Sequence, residues 1–281
     1  MYDYSNQKTG NEIDELFRET ILNIRRLRFR PQPSFGQNFV VSQRLVDEMI
    51  KHAKLSDGDR ILEIGGGMGT LTQKIVDSKA SEVFVVEADK LLERFLQLRF
   101  YNDRRVYIIG GDFLNLNLEH INFNKVVSNP PFHISTQIIK RLSKLDVDLA
   151  VMTFQKDFVN KMIAPTGSKY YSKISVFSKV LFEVEVIEEF PRDCFYPAPK
   201  IDISLVTLKP RKTDLVNTTS FWEFLTCLFN NRNRKFVKAI ENFVPREENV
   251  RTLEVLKGIK DRRVFQISPE DIFKTFKLFA N

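Results

Sequence analysis

Apolar and polar positions follow two different rhythms along this chain, and the change between them divides it. Short apolar runs come first: RILEIG (60–65), EVFVVE (82–87), RVYIIG (105–110), KVVSN (125–129) and LAVMTF (149–154), each ending in a turn or a polar residue. Runs of this length, dense in Val and Ile, have the character of strands buried on both faces. Between them TLTQKIVDSK (70–79), KLLERFLQLRF (90–100) and STQIIKRLSKL (135–145) repeat their apolar residues at helical spacing, the last with Ser135 and Thr136 at its start. Such alternation builds a parallel sheet covered by helices and predicts five βα units. KISVFSKVLFEVEVIEEF (173–190) and DISLVTLK (202–209) read as further strands, around a segment (191–200) too rich in Pro to be regular.

After Pro210 the strands stop. SFWEFLTCLFNNRNRKFVKAIENF (220–243), NVRTLEVLKGI (249–259) and SPEDIFKTFKLF (268–279) read as amphipathic helices, and Ser268, Pro269, Glu270 and Asp271 make a strong helix start for the third. The expected architecture is α/β: a mostly parallel sheet followed by a small C-terminal helical domain. The expected division is an N-terminal extension over 1–30, a main domain over 31–210 and a helical domain over 211–281.

Composition narrows the chemistry. The chain has 281 residues, 43% hydrophobic and 28% charged, as a folded globular protein does. Two cysteines, Cys194 and Cys227, and three scattered histidines, His52, His120 and His133, give neither a disulfide framework nor metal-ligand spacing, so no metal site is expected. No apolar run approaches the roughly 18 residues of a membrane span, and the acidic, polar N-terminus lacks a leader pattern, so a cytoplasmic protein is expected. Lys and Arg number 43 against 36 Asp and Glu. The surplus is local: Arg25, Arg26, Arg28 and Arg30 fall in 20–30 without an acid, and 209–240 holds seven basic and two acidic residues. Two such runs flanking an enzyme-like middle point to a nucleic-acid partner.

The densest motif is LEIGGGMGTLT, with Gly65, Gly67 and Gly69 directly after the first strand. It fails as a dinucleotide fingerprint, because Thr70 stands where the third glycine is needed, and no Gly-Lys-Ser or Gly-Lys-Thr follows as a phosphate loop requires. G-x-G-x-G after a strand carrying Glu63 resembles the first motif of class I methyltransferases; a plain tight turn is the other reading. Ligands of open α/β sheets bind beyond the strand ends, where two acids stand in order. Glu87 can accept hydrogen bonds from both hydroxyls of a ribose, and Asp112 from an adenine amine, with Phe113 available for ring contact. The fourth strand end is NPPF, 129–132. An aromatic amine is a poor nucleophile because its lone pair is delocalised; if the Asn129 oxygen and the Pro130 carbonyl accept its two hydrogens, the nitrogen can pyramidalise toward a methyl donor. Phe132 would stack on the base.

With SFGQNFV (34–40) upstream and FYPAPKID (195–202) downstream, six motifs in order, GQNFV, LEIGGGMGTLT, VEAD, GDFL, NPPF and FYPAPKID, make the chain resemble the ribosomal RNA adenine dimethyltransferase family over about residues 30–260. The resemblance implies a class I methyltransferase (Rossmann-like) fold using S-adenosyl-L-methionine. It implies that Gln37, Asn38 and Val40 serve the cofactor with Gly65, Gly67, Glu87, Asp112, Phe113 and Asn129. It further implies that Asn129, Pro130 and Phe132 act on the target base with Phe195 opposite Phe132, and that the helical tail contacts RNA. There Arg232, Arg234, Lys235 and Lys238 are expected to share one helical face and reach phosphates. The implied partner is small-subunit ribosomal RNA or a pre-ribosomal particle, and the absence of a heptad seam leads us to expect a monomer. NPPF departs from the family's usual Asn-(Leu/Ile)-Pro-Tyr and is equally at home in DNA adenine and protein glutamine methyltransferases. A monomethylating adenine enzyme and a non-catalytic assembly or transcription factor of the same fold therefore stand beside dimethylation.

Overall fold

The computed structural model describes residues 15–32, 35–213, 217–241 and 257–279. In chain order its elements begin with α1 (Glu15–Arg26), β1 (Phe39–Val40), α2 (Gln43–Ala53), β2 (Arg60–Ile64), α3 (Thr70–Val76), β3 (Glu82–Glu87), α4 (Lys90–Arg99), β4 (Val106–Gly110) and β5 (Lys125–Ser128). They continue with α5 (Ser135–Leu142), β6 (Leu149–Gln155), α6 (Lys156–Met162), α7 (Lys173–Leu181), β7 (Phe182–Phe190), β8 (Phe195–Tyr196) and β9 (Ile203–Pro210). The C-terminal helices are α8 (Thr218–Asn230), α9 (Phe236–Ile240) and α10 (Pro269–Lys277). The larger sheet runs β4-β3-β2-β5-β6-β9-β7, and β1 pairs separately with β8. Strand β2 is parallel to β3 and β5, β3 is parallel to β4, and β6 is antiparallel to β9.

The chain packs as two compact units, one of residues up to His133 with Phe190–Asp202, the other of Ile134–Glu189 with the described residues from Ile203 onward. This grouping differs from a boundary at 210. Its physical basis is visible in the second unit, where the β6–β9 ladder and the packing of α7 against α8 and α10 tie residues 149–181 to the C-terminal helices.

In the first unit the inner parallel strands β2, β3 and β5 are buried on both faces, as their unbroken apolar runs require, with Ile61, Leu62, Val83, Val85, Val126 and Val127 essentially without exposure, whereas β4 at the sheet edge is half-buried and exposes Tyr107. Each such side chain contributes about 1.5 to 3 kcal/mol by leaving water. Helix starts are capped as the residues dictate, Ser42 accepting from Leu45 N and Asp89 from Leu91 N and Leu92 N. Just before β2, the buried carboxylate of Asp59 accepts from Ser56 N (2.7 Å), Ser56 Oγ (2.9 Å), Asn124 Nδ2 (2.9 Å) and Lys125 Nζ (2.8 Å), fastening the start of β2 to the start of β5. Burial opposes its charge, but the Lys125 ammonium and these donors outweigh it and hold the Asp59 pKa down to about 2.

Three expectations need correction. The segment 173–190 is not all strand: 173–181 is helix α7, whose start is closed by a capping box between Ser172 and Ser175. Ile174, Ser175, Val176, Phe177, Ser178 and Leu181 are all buried, so the helix lacks the polar stripe that marks helical period, and its β-branched and aromatic residues mimic a strand. Among the described residues the link from β4 to β5 holds no helix, so the βα alternation is broken there. The helix expected over 220–243 ends at Asn230, where Asn231 to Arg234 form a turn before α9. The helix expected over 249–259 falls mainly outside the described residues, and 257–260 form a turn. The third expected helix is α10, with Ser268 accepting from Asp271 N and Pro269 in its first turn.

Asp59→Ala is expected to lower unfolding free energy by about 1 to 3 kcal/mol, since it removes the charged partner of the half-buried Lys125 ammonium, which keeps its bond to Lys54 O. Urea denaturation measures this. Because the folded pKa lies below the unfolded one, the stability from this carboxylate is present above its ordinary value of 3.8 and is lost as pH falls toward about 2.

Candidate active site

The site lies within the first unit, where three loops meet beyond the strand ends. Gly65 N donates to Val86 O (2.8 Å), seating the glycine loop beside β3. Gly67 has φ +55°, and a Cβ there would stand 3.0 Å from the Phe39 ring, so this turn is open only to glycine. Its N–H donates to Glu87 Oε2 (2.9 Å), while Asp89 N donates to Glu87 Oε1 (2.9 Å). Glu87 is buried, and burial pushes its pKa up despite those two donors.

Gln37 acts one step away. Its Nε2 donates to Asp89 Oδ2 (3.1 Å) and its Oε1 accepts from Gln32 N (2.7 Å), so it ties the upstream loop to the capping residue of α4. Asn38 is the meeting point: its Nδ2 donates to Pro197 O (2.7 Å), and its backbone O accepts from Asn129 Nδ2 (2.9 Å). Val40 lies opposite Phe195, and Phe39 opposite Tyr196, in the β1–β8 pair. GQNFV, NPPF and FYPAP, far apart in sequence, are thereby joined. Gly36 (φ +59°) passes so close under the third loop that a Cβ would stand 2.5 Å from His133 Nδ1 and 3.2 Å from Pro131 Cβ.

Asp112 is exposed and uses its carboxylate locally, accepting from Leu114 N (2.9 Å) and Asn115 Nδ2 (2.8 Å). Phe113 is buried. Pro130 is buried and Phe132 half-buried. Phe132 and Phe195 meet edge to face, centroids 6.0 Å apart at 77°. The buried Phe195 ring touches Phe132 directly and supports it.

The cationic residues also differ from expectation. Arg232 and Arg234 lie in the turn after α8, and Lys235 immediately precedes α9, so only Lys238 is inside a helix and no common helical face exists. Arg232 points inward: Nη1 and Nη2 donate to Lys169 O (3.3 Å) and Ser168 O (3.2 Å), and the guanidinium lies over Phe265. Lys235 pairs with Asp261 (2.9 Å) and Lys238 with Glu241 (2.5 Å), while Arg234 is exposed. Arg25, Arg26, Arg28 and Arg30 are all exposed.

Two groups near the site carry roles that the motifs alone did not assign. Glu63, on β2, is fully buried, accepts from Thr72 Oγ1 (2.6 Å), and has its pKa raised to about 8, chiefly by burial and further by Glu87. Helix α1 packs Ile24, with Phe29 beyond it, into a cluster with Phe39, Met68 and Leu92, and Glu19 pairs with Arg99 (2.8 Å). The described part of the N-terminal extension is thus built into the loop that carries the site. The spacing of Thr20, Ile24 and Leu27 is the sequence sign of it.

An open, mostly parallel sheet with a glycine turn, an acid at the next strand end and Asn-Pro-Pro at a later one defines a class I methyltransferase. Comparison with known proteins makes this specific. The family model described as ribosomal RNA adenine dimethylase matches residues 28–281, and the chain belongs to that family. It is 36% identical over 264 residues (92% of this chain, 94% of the relative) to a Methanothermobacter thermautotrophicus protein named probable ribosomal RNA small subunit methyltransferase A. A Thermococcus sibiricus protein of the same name is 31% identical over 89% of this chain and 92% of its own. In fold it is similar to a dimethyladenosine transferase from Plasmodium falciparum (TM-score 0.74, 22% identity, 86% of this chain and 97% of that one). It is also similar in fold to the 23S rRNA methyltransferase ErmE (TM-score 0.65, 22% identity, 87% and 100%).

The family uses S-adenosylmethionine, and the residues present fit it. At Gly65 a Cβ would stand 3.7 Å from Pro131 Cδ and 3.9 Å from Asn129 O, so a side chain there would enter the space between the glycine turn and the NPPF loop, which glycine leaves to a ligand. Each carboxylate oxygen of the buried Glu87 accepts one backbone N–H and has a further lone pair, which a ribose hydroxyl would take.

Glu87→Ala is expected to weaken S-adenosylmethionine binding by about 1.5 to 3 kcal/mol, measured by calorimetry; unchanged affinity in a folded variant would remove Glu87 from the site. Glu63→Gln tests the buried acid through folding. The folded protein retains a proton on Glu63 that the unfolded chain releases, so wild-type stability falls relative to the Gln variant as pH rises from 4.5 to about 8. The slope approaches about 1.4 kcal/mol per pH unit. Denaturant curves that stay parallel across that range would contradict the assignment.

Proposed function

We propose that this chain dimethylates the exocyclic amines of two adjacent adenosines in a small-subunit ribosomal RNA hairpin loop, as a step in ribosome biogenesis. The names of its relatives supply the substrate class. One observation carries the chemistry: Asn129 Nδ2 is bonded to Asn38 O, which sets the polarity of the side-chain amide and turns its oxygen the other way. That oxygen and the Pro130 carbonyl then accept the two amine hydrogens, leaving the nitrogen lone pair directed out of the base plane. S-adenosylmethionine supplies an electrophilic methyl on a sulfonium, so Asn129 needs only to orient the amine and no strong base is required. Phe132, supported by Phe195, holds the base flat; Glu87 and Asp112 hold the cofactor's ribose and adenine, with Asn38, Val40 and Gly65 around it.

The exposed Arg25, Arg26, Arg28 and Arg30, with Arg234, Lys235 and Lys238, supply phosphate contacts, and Arg232 holds the 168–169 backbone in place. The enzyme works as a monomer in the cytoplasm on ribosomal RNA or a pre-ribosomal particle. Among the described residues no helix is long and apolar enough to cross a membrane.

Asn129→Ala is expected to lower the single-turnover rate by about 10²-fold, with much smaller effects on cofactor and RNA affinity. Purified protein, unmodified small-subunit particles and methyl-labelled S-adenosylmethionine provide the assay. No label transferred to RNA by the wild type would overturn the function, and a near-normal rate for Asn129→Ala would overturn the role of the loop.

A further inference from the structure

The second unit holds two lysines that the active site does not use. Lys140, in the last turn of α5, and Lys173, the first residue of α7, bring their ammonium groups to a single indole. Their Nζ atoms stand 5.2 Å and 4.9 Å from the ring centroid of Trp222 on α8. Lys173 Nζ also donates to Thr226 Oγ1 (3.3 Å), one turn along α8, and that hydroxyl donates to Trp222 O (2.9 Å). Both lysines are half-buried, whereas Trp222 is buried. Lys156, Lys235 and Lys238 in the same unit each pair with a carboxylate; among the described residues no ion pair forms at Lys140 or Lys173.

Two positive charges gathered on one ring without an acid repel each other, and the attraction of the indole face offsets only part of that. The arrangement lowers its energy when an anion reaches both. Three helices hold the two side chains to one place, so little freedom remains to be lost on binding. With their Nζ atoms 5.2 Å and 4.9 Å from one centroid, the two ammonium groups are at most about 10 Å apart, a span that successive phosphates of one strand can bridge.

We propose that Lys140 and Lys173, held on Trp222, form an RNA phosphodiester-binding site on the second unit, distinct from the Arg232–Lys238 segment. This rests on the reading that the substrate is RNA. Contacts of this kind position the RNA and carry no base specificity.

Trp222 is the only tryptophan in the chain, so an emission change arises at this indole, and the lysine variants assign it to the two ammonium groups. The experiment titrates a short RNA hairpin oligonucleotide into full-length protein, following tryptophan emission, while the anisotropy of the same RNA carrying a label is followed separately. The expected result is an emission change with the same midpoint as the anisotropy change. In the double variant Lys140→Gln with Lys173→Gln, the emission response is expected to vanish. The slope of log affinity against log salt should fall by roughly 1.4 to 1.8, two contacts' worth. The double variant Lys140→Arg with Lys173→Arg should keep both, which separates loss of charge from loss of fold. RNA bound by the wild type with unchanged emission and a salt slope equal to that of the Gln variant overturns the site. Wild-type protein that binds no RNA by anisotropy overturns the RNA reading, and the site with it.

Discussion

Asn38 is bonded on two sides, and the arrangement of the active site depends on it. Its side chain donates to Pro197 O and its carbonyl accepts from Asn129, so one residue fixes the separation of the NPPF and FYPAP loops. The β1–β8 pair repeats the link through backbone, and the Phe132–Phe195 contact through side chains. Loops are ordinarily the most mobile part of an α/β protein. Here three of them are cross-braced, as orienting an amine at a methyl donor requires, since small errors in position there cost large factors in rate.

The carboxylates beneath the glycine loop are a second constraint. Glu63 is satisfied by Thr72, Glu87 by Gly67 N and Asp89 N, and Asp89 by Gln37 and the start of α4. Burial raises the pKa of both glutamates, so Glu63 keeps its proton up to about pH 8 and a charge on Glu87 is held at a cost. A cofactor that brings hydroxyl donors and a positive charge offsets that cost on binding, which couples the fold of the loop to its ligand.

What was legible in the sequence, and what was not, follows from the same physics. The inner parallel strands could be read because burial on both faces leaves unbroken Val and Ile runs, and the candidate site residues at the strand ends follow in order. Helix α7 could not, because six of its nine residues are buried, two of them serines, and no continuous polar stripe is left. Arg232 looked like a phosphate contact because charge is visible in sequence, whereas its carbonyl partners at 168 and 169 become neighbours only in space. The Asn-rich stretch 230–233 carried the turn chemistry that ends α8, but the apolar period on either side ran through it. Asp59, with partners at 56, 124 and 125, and Gln37, reaching Asp89, are structural links with no local pattern at all.

Dimethylation puts two methyl groups on each of two adenosines, through a loop that carries Pro130 and Phe132. Nucleoside mass spectrometry of small-subunit ribosomal RNA from cells with and without this protein measures that directly. The account predicts that N6,N6-dimethyladenosine is present with the protein and absent without it; dimethyladenosine that persists without it, or a loss confined to the monomethylated nucleoside, would contradict it.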